Sequence, residues 1–337
     1  MSETKKTIER RAVLKLGAAA TVGFIAGDLR PAQAAPAPLP ENGATAKAMP
    51  TRNLGRTGYR VGIFSLGGQA AVEQPDNADV AVPIVERALD LGVNYIDTSA
   101  RYGGAEARWS ERYIGHVMKR RRREAFLATK THDRTREGSL RLLERSLELL
   151  QTDHLDLWQI HNLSNMAQID QIFAPGGAVE ALVEAKDQKI VRHIGISGHA
   201  DPDVLLAAIR RFPFDTILMA VNAADPHHMS FSAKLLPLAV EKKMGIIGMK
   251  IPARGRILSA PGQSGGVTME EAMRYTLTLP VSTVIVGCDS VAQLEENVKI
   301  ARAFTPLSEP QMAALAAKAE PVKREALFFR PWTGLGV

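Results

Sequence analysis

From about residue 63 onward the chain alternates short apolar runs with longer stretches in which apolar residues recur every three or four positions. The short runs cover residues 63–67, 93–97, 125–130, 155–161, 193–197, 216–222, 245–250 and 283–287. Amphipathic patterns fill 78–91, 110–120, 137–150, 178–189, 202–211, 233–243 and 268–279, with a last one at 290–303. Strands apolar on both faces belong to parallel sheets covered by helices. The repeated unit therefore predicts an α/β fold, a (β/α)8 TIM barrel. A doubly wound sheet is the alternative, although Gly67-Gly68-Gln69 after the first run is not the glycine fingerprint of that fold.

Upstream, residues 51–62 carry turn signals at Asn53-Leu-Gly55 and Arg56-Thr-Gly58. They predict a hairpin closing the barrel bottom, and an irregular arm fits the local pattern too. Insertions fall at 162–177 and 251–266, after predicted strands and so on the face where barrels place active sites. The division expected is a processing segment over 1–34, a flexible linker over 35–48, the barrel over 49–320 and a C-terminal tail over 321–337.

Residues 1–34 have the order of an export signal. Basic residues from Lys5 to Lys15 precede a small, apolar stretch over 16–26 that is too short to span a bilayer, and Ala32-Gln33-Ala34 supplies a cleavage pattern. Arg10-Arg11 resembles a twin-arginine signal, which predicts a periplasmic location and the export machinery as a partner. A general secretory signal or an uncleaved anchor are the rivals. Removing this segment would lower the net charge from +6, so no nucleic-acid footprint remains and no stable membrane span is expected. The basic cluster over 119–123 follows a predicted helix, where cations favour the C-terminal dipole. Cys288 is the only cysteine, which excludes an intramolecular disulfide and an iron-sulfur cluster.

Candidate chemistry lies at the ends of the predicted strands. Asp97 ends the second, Lys130 the third and His161 the fourth, with Tyr102 in a glycine-containing loop five residues past Asp97. A phenol transfers protons poorly at neutral pH unless its neighbours assist. Lys130 beside Tyr102 would favour the phenolate, Asp97 would keep Lys130 charged, and His161 could donate to a substrate oxygen. Singly, each has a plainer role: an ion pair, a loop anchor, a core histidine. Their common placement points to proton transfer without a metal.

The segments Asn53-Leu-Gly-Arg-Thr-Gly58, Asn94-Tyr-Ile-Asp-Thr-Ser-Ala-Arg-Tyr-Gly103, Ala128-Thr-Lys130, Asp156-Leu-Trp-Gln-Ile-His161 and Gly195-Ile-Ser197 resemble the aldo-keto reductase family over about residues 49–305. The resemblance implies an NAD(P)-dependent oxidoreductase that moves hydride between nicotinamide and a small carbonyl or alcohol. In that reading Tyr102 is proton donor or acceptor, Lys130 and Asp97 tune it, and His161 positions the carbonyl. A non-catalytic or regulatory nucleotide-binding protein is the alternative, since related barrels serve as channel subunits.

The same resemblance assigns cofactor contacts to Gly68, Ser197, Gly198, Asn222, Met249, Lys250, Gly287, Asp289, Gln293, Glu296 and Asn297. Several depart from the common pattern: Gly198 replaces the usual Asn, Leu218 and Val221 the usual Gln and Tyr, and Met249 an aromatic. The cofactor expected is NAD or NADP. Asp289 would repel a 2'-phosphate unless Arg302, Arg254 or Arg256 reaches in. Glu111 is expected to brace the Tyr102 loop and Cys288 to be buried. His227-His228 is expected in a surface or substrate loop, not at a metal. Trp109, Trp158 and Trp332 could line the pocket or the core.

Overall fold

A computed structural model describes residues 37–259 and 265–332, so the expected export signal lies outside the described residues. Eight parallel strands close on themselves: β3 (Phe64–Gly67), β4 (Tyr95–Asp97), β5 (Phe126–Thr131), β6 (Leu155–Ile160), β7 (Val191–Gly198), β8 (Thr216–Ala220), β9 (Gly245–Met249) and β10 (Thr283–Val286). β10 pairs with both β9 and β3, leaving no open edge. This is the predicted (β/α)8 barrel. The doubly wound alternative, which requires two free edges, is excluded.

Period-two alternation divides the strands into two packing surfaces. Tyr95, Phe126, Leu157, Leu218, Ile247 and Ile285 form one buried cluster inside the barrel. Their chain neighbours Ile96, Leu127, Trp158, Ile217, Ile246 and Val284 pack outward with the helices. In helix Ala78–Asp90 the buried residues Ala81, Ile84, Val85, Ala88 and Leu89 form the stripe that covers the sheet. The pattern at 233–243 yields two short helices, Phe231–Lys234 and Leu236–Glu241. Pro237 cannot donate to the carbonyl one turn earlier, which explains the interruption.

The hairpin of β1 (Thr51–Asn53) and β2 (Arg60–Gly62) closes the bottom as predicted. Leu54, Tyr59 and Val61 join the interior cluster. The Tyr59 ring stacks on Phe126 at 4.6 Å, and its hydroxyl donates to the Asn94 carbonyl at 2.9 Å. Each such side chain contributes about 2 kcal/mol of burial. Gly55 has φ +55°, and a Cβ there would overlap the Gly245 backbone. The bottom is thus sealed by apolar packing, which leaves buried polar chemistry to the opposite end.

The described parts of both flanking segments contact the barrel. In the described part of the expected flexible linker, Glu41 N donates to the Arg123 carbonyl at 2.7 Å and Asn42 Nδ2 to that of Leu89 at 2.7 Å. Helix Thr45–Ala48 then leads into β1. At the other end, the described part of the segment expected as a tail, residues 321–332, folds back onto the barrel. Arg330 is buried in an ion pair with Asp225 and donates to the carbonyl of Ala220, the last residue of β8, at 3.3 Å. His228 Nε2 bonds the Pro331 carbonyl at 2.7 Å and stacks on Trp332, while His227 Nε2 bonds that of Ala316 at 2.8 Å. The adjacent histidines therefore hold down the C-terminal segment.

Candidate active site

Register explains why Asp97 and Lys130 meet. Asp97 pairs with Ala128 on the neighbouring strand, and Lys130, two residues on, returns to the same inward face. Lys130 Nζ forms an ion pair with Asp97 and donates to the Thr98 carbonyl at 2.7 Å. Both side chains are inaccessible to solvent. The following loop turns back through a hydrogen bond from Tyr102 N to the Ser99 carbonyl at 3.1 Å. This places the Tyr102 ring 4.9 Å from Lys130 Nζ. His161, just past β6, meets the Tyr102 ring edge-on at 5.6 Å. The four predicted residues therefore come together.

Their electrostatics differ from expectation at one point. Lys130 was expected to lower the Tyr102 phenol. Instead burial, reinforced by the negative charges of Asp97 and Glu73, pushes it well above its ordinary value. Lys130 faces the ring, and its charge is largely taken up by Asp97. Part of the Tyr102 ring borders the open cleft, but the surrounding protein denies a phenolate its hydration. Burial also drives Asp97 up and Lys130 down, and their mutual attraction opposes both movements. His161 is held well below the imidazole range by burial, with Lys130 adding to the effect.

Ser99 is a site residue that pattern reading missed. Its Oγ lies 2.9 Å from His161 Nδ1 and accepts from Arg101 N at 3.3 Å. In the tautomer that carries its proton on Nε2, Nδ1 accepts a hydrogen bond from this hydroxyl. Gln159 was also missed; it stands opposite Lys130 in the register, with both amide atoms buried. Glu111 lies on the helix that follows the Tyr102 loop. It is buried, accepts from Thr129 Oγ1 at 2.7 Å and pairs with Arg108 at 3.4 Å.

A cleft of about 530 Å³ opens beside Tyr102. Of the predicted cofactor residues it is lined by Gly68, Met249, Lys250, Gly287, Asp289, Gln293, Glu296 and Asn297. A Cβ at Gly68 would collide with Ser110 Oγ and the Asp97 carbonyl, and one at Gly287 would crowd the Gln69 carbonyl; both glycines line the cleft without a side chain. Lys250 is pushed down to about 8 by burial and then by Arg254, which also lines the cleft. Three predicted contacts do not line it. Ser197 Oγ accepts from Asn162 N at 2.9 Å. Asn222 donates to the Lys250 carbonyl at 3.1 Å and accepts from Ala224 N at 3.0 Å. Gly198 packs against the Leu163 carbonyl and Leu205. Their polar groups are spent on the loops that shape the barrel mouth.

The tryptophans stay out of the cleft: Trp158 is in the outer core, Trp109 stacks on Tyr113, and Trp332 covers His228. Cys288 is buried, as expected, and its thiol is pushed up to about 12 by burial. Among the described residues no group of His, Cys, Asp and Glu could hold a metal ion, and no helix is long and apolar enough to cross a membrane.

Tyr102, His161 and the buried Asp97–Lys130 pair thus meet at one end of the barrel beside the cleft. The family model for the aldo/keto reductase family matches residues 60–270. The chain belongs to that family. It is similar to L-galactose dehydrogenase of Arabidopsis thaliana, at 29% identity over 81% of this chain and 95% of that protein. It is also similar to pyridoxine 4-dehydrogenase of Escherichia coli, at 30% identity over 74% and 90%. Among solved structures, the holo form of aldo-keto reductase AKR11C1 from Bacillus halodurans covers 81% of this chain and 96% of its own. The two share 25% identity and a TM-score of 0.66.

Proposed function

We propose that the protein is an NAD(P)-dependent carbonyl reductase or alcohol dehydrogenase in which Tyr102 carries the proton. The observation that supports this most is the convergence of Tyr102, His161 and the buried Asp97–Lys130 pair beside the cleft. The bare backbone at Gly68 and Gly287, the cations Lys250 and Arg254, and the N-terminus of helix Val291–Arg302 fit an elongated nucleotide. When bound there, nicotinamide supplies the hydride.

The chain's own residues do the rest. Because burial raises it, the Tyr102 phenol keeps its proton through the neutral range, as a donor to a developing alkoxide must. His161, neutral for the reason given above, donates from Nε2 to the carbonyl oxygen and orients it. Lys130 stabilises negative charge as it forms on the Tyr102 ring, and Asp97 holds Lys130 in place. Ser99 fixes the tautomer of His161. Asp289 at the cleft supports a preference away from NADPH.

Residues 1–34 act, in this reading, as a twin-arginine export signal that delivers the folded protein to the periplasm, where cofactor travels bound. The experiment has two parts. Mass spectrometry of the exported fraction is expected to show cleavage after Ala34 and retained nucleotide. Aldehyde-dependent oxidation of NADH and NADPH by the purified protein is expected to be measurable with at least one of them. Failure of both cofactors across an aldehyde panel would overturn the catalytic reading.

A further inference from the structure

His161 is flanked by polar residues that do not line the cofactor cleft: His132 and Arg134 just past β5, Asn162 just past β6 and His199 just past β7. Arg134 Nη2 donates to the His161 carbonyl at 2.8 Å and to the Asn162 carbonyl at 3.1 Å, which fixes the guanidinium at the barrel rim. Its Nη1 is buried with no partner among the described residues. The same holds for His132 Nδ1, Asn162 Oδ1 and His199 Nδ1. Buried polar atoms in a native fold are normally satisfied, and four unsatisfied ones around one histidine mark a place where a polar ligand completes the set.

Charge says which ligand. Neither Arg134 nor Arg101, exposed on the Tyr102 loop, forms an ion pair among the described residues. The adjacent carboxylate of Asp133 is occupied by Thr135, accepting from its N and its Oγ1 at 2.7 Å each. Asp97 is occupied by Lys130. After burial, Arg101 is the largest influence holding His132 below its ordinary value, and Arg101 also depresses Arg134. Two guanidinium groups, neither in an ion pair among the described residues, therefore stand beside neutral imidazoles, with Asp133 the one carboxylate acting favourably on Arg134. A neutral hydroxyl or carbonyl could fill one hydrogen bond and would leave the charge unmet.

We propose that this rim binds an anionic oxygen group of the substrate, a carboxylate or a phosphate, with Arg134 as the principal contact and Arg101 adding charge. The proposal rests on the hydride-transfer reading. Because Arg134 is bonded to the backbone of His161 itself, the anion and the reacting carbonyl belong to one short molecule. Guanidinium pairs well with either anion, so charge and not shape sets the class.

Two matched aldehyde pairs test this: 4-carboxybenzaldehyde against 4-formylbenzamide, and glyceraldehyde 3-phosphate against glyceraldehyde. In at least one pair the charged member is expected to show kcat/KM higher by about tenfold or more, the size of a hydrogen bond to a charged group. The pair that responds identifies carboxylate or phosphate. Arg134→Met is expected to bring that ratio to about twofold, and Arg101→Gln to lower it by about threefold, the ratio within each pair cancelling any change common to both substrates. Arg101 is exposed, so its variant keeps the test alive if Arg134→Met fails to fold. Calorimetric titration of the same compounds into cofactor-loaded Tyr102→Phe protein reads the preference without turnover. Absence of turnover with that binding preference intact would count against the hydride reading alone. A ratio below about threefold in both pairs, by kinetics and calorimetry, or a ratio that neither substitution lowers, overturns the proposal.

Discussion

Breaking the Asp97–Lys130 pair from either side has a cost that the structure allows to be bounded. Both side chains are solvent-inaccessible, so removing one leaves the other's charge buried, typically at about 3–5 kcal/mol. The orphaned group escapes by neutralising, which caps the cost at neutral pH. For Asp97 left by Lys130→Met, protonation from an unfolded value near about 3.9 spans roughly 3 pH units, or about 4 kcal/mol. For Lys130 left by Asp97→Asn, deprotonation from about 10.4 spans roughly 3.4 units, or about 4.6 kcal/mol. The double variant removes both charges and is expected to be more stable than either single variant.

The pH dependence separates the two singles. In Lys130→Met the carboxyl's folded value is raised, so the folded state binds the extra proton and the deficit shrinks as pH falls toward 5. In Asp97→Asn the amine's folded value is lowered, so the deficit shrinks as pH rises toward 10. Urea unfolding of cofactor-free protein, followed by tryptophan fluorescence with Trp158 as the buried reporter, measures all four forms. A double variant that costs the sum of the singles, or singles that each cost under about 1 kcal/mol, would refute the reasoning.

Removing Arg330 by Arg330→Met is expected to cost about 3 kcal/mol, the lower end for a buried pair, because Asp225 still accepts from Phe231 N and Ser230 Oγ. Limited proteolysis should then cut the C-terminal segment first, and unchanged protection would refute the strap. Gly115→Ala would normally stabilise a helix by about 1 kcal/mol. Here the new Cβ would overlap the Leu149 carbonyl oxygen, so a net loss of about 1–3 kcal/mol is expected, and any rise in melting temperature contradicts the close approach. His199 is pushed down to about 4 by burial, so its unfolded form takes up a proton first. The stability this represents is complete above about pH 6.5 and is lost as pH falls toward 4, about 3 kcal/mol in all. His199→Asn should flatten that decline in urea midpoints, and an identical slope would refute it.

The barrel was legible because its signals are periodic. Eight apolar runs with intervening stripes such as that over Ala81 to Leu89 repeat often enough to exceed local noise. Asp97, Lys130 and His161 were legible because each ends a run and therefore reaches the same rim. Parity along β6 carried more than was read from it: with Gln159 facing inward, Trp158 must face the helices. What stayed hidden depends on geometry between distant segments. Ser197 and Asn222 hydrogen-bond backbone groups of the rim loops, contacts that their place in the sequence does not reveal. Ser99 sits in an unremarkable Thr-Ser-Ala step, and only the fold brings it to His161. The desolvation of the Tyr102 hydroxyl by surrounding protein is likewise a property of the assembled site, so the direction of its shift opposes the expectation from Lys130 alone. The final residues carry no helical or strand period, yet Arg330 finds a buried carboxylate more than one hundred positions away.

The central claim is that Tyr102 delivers the proton. Single-turnover oxidation of enzyme-bound reduced nicotinamide by an aldehyde, followed at the nicotinamide absorbance, tests it in wild type and in Tyr102→Phe. The substitution removes one hydroxyl from a ring that borders the cleft. The account predicts unchanged cofactor affinity and a chemical step slower by about 10²–10⁴-fold. Equal single-turnover rates in the two proteins would contradict it.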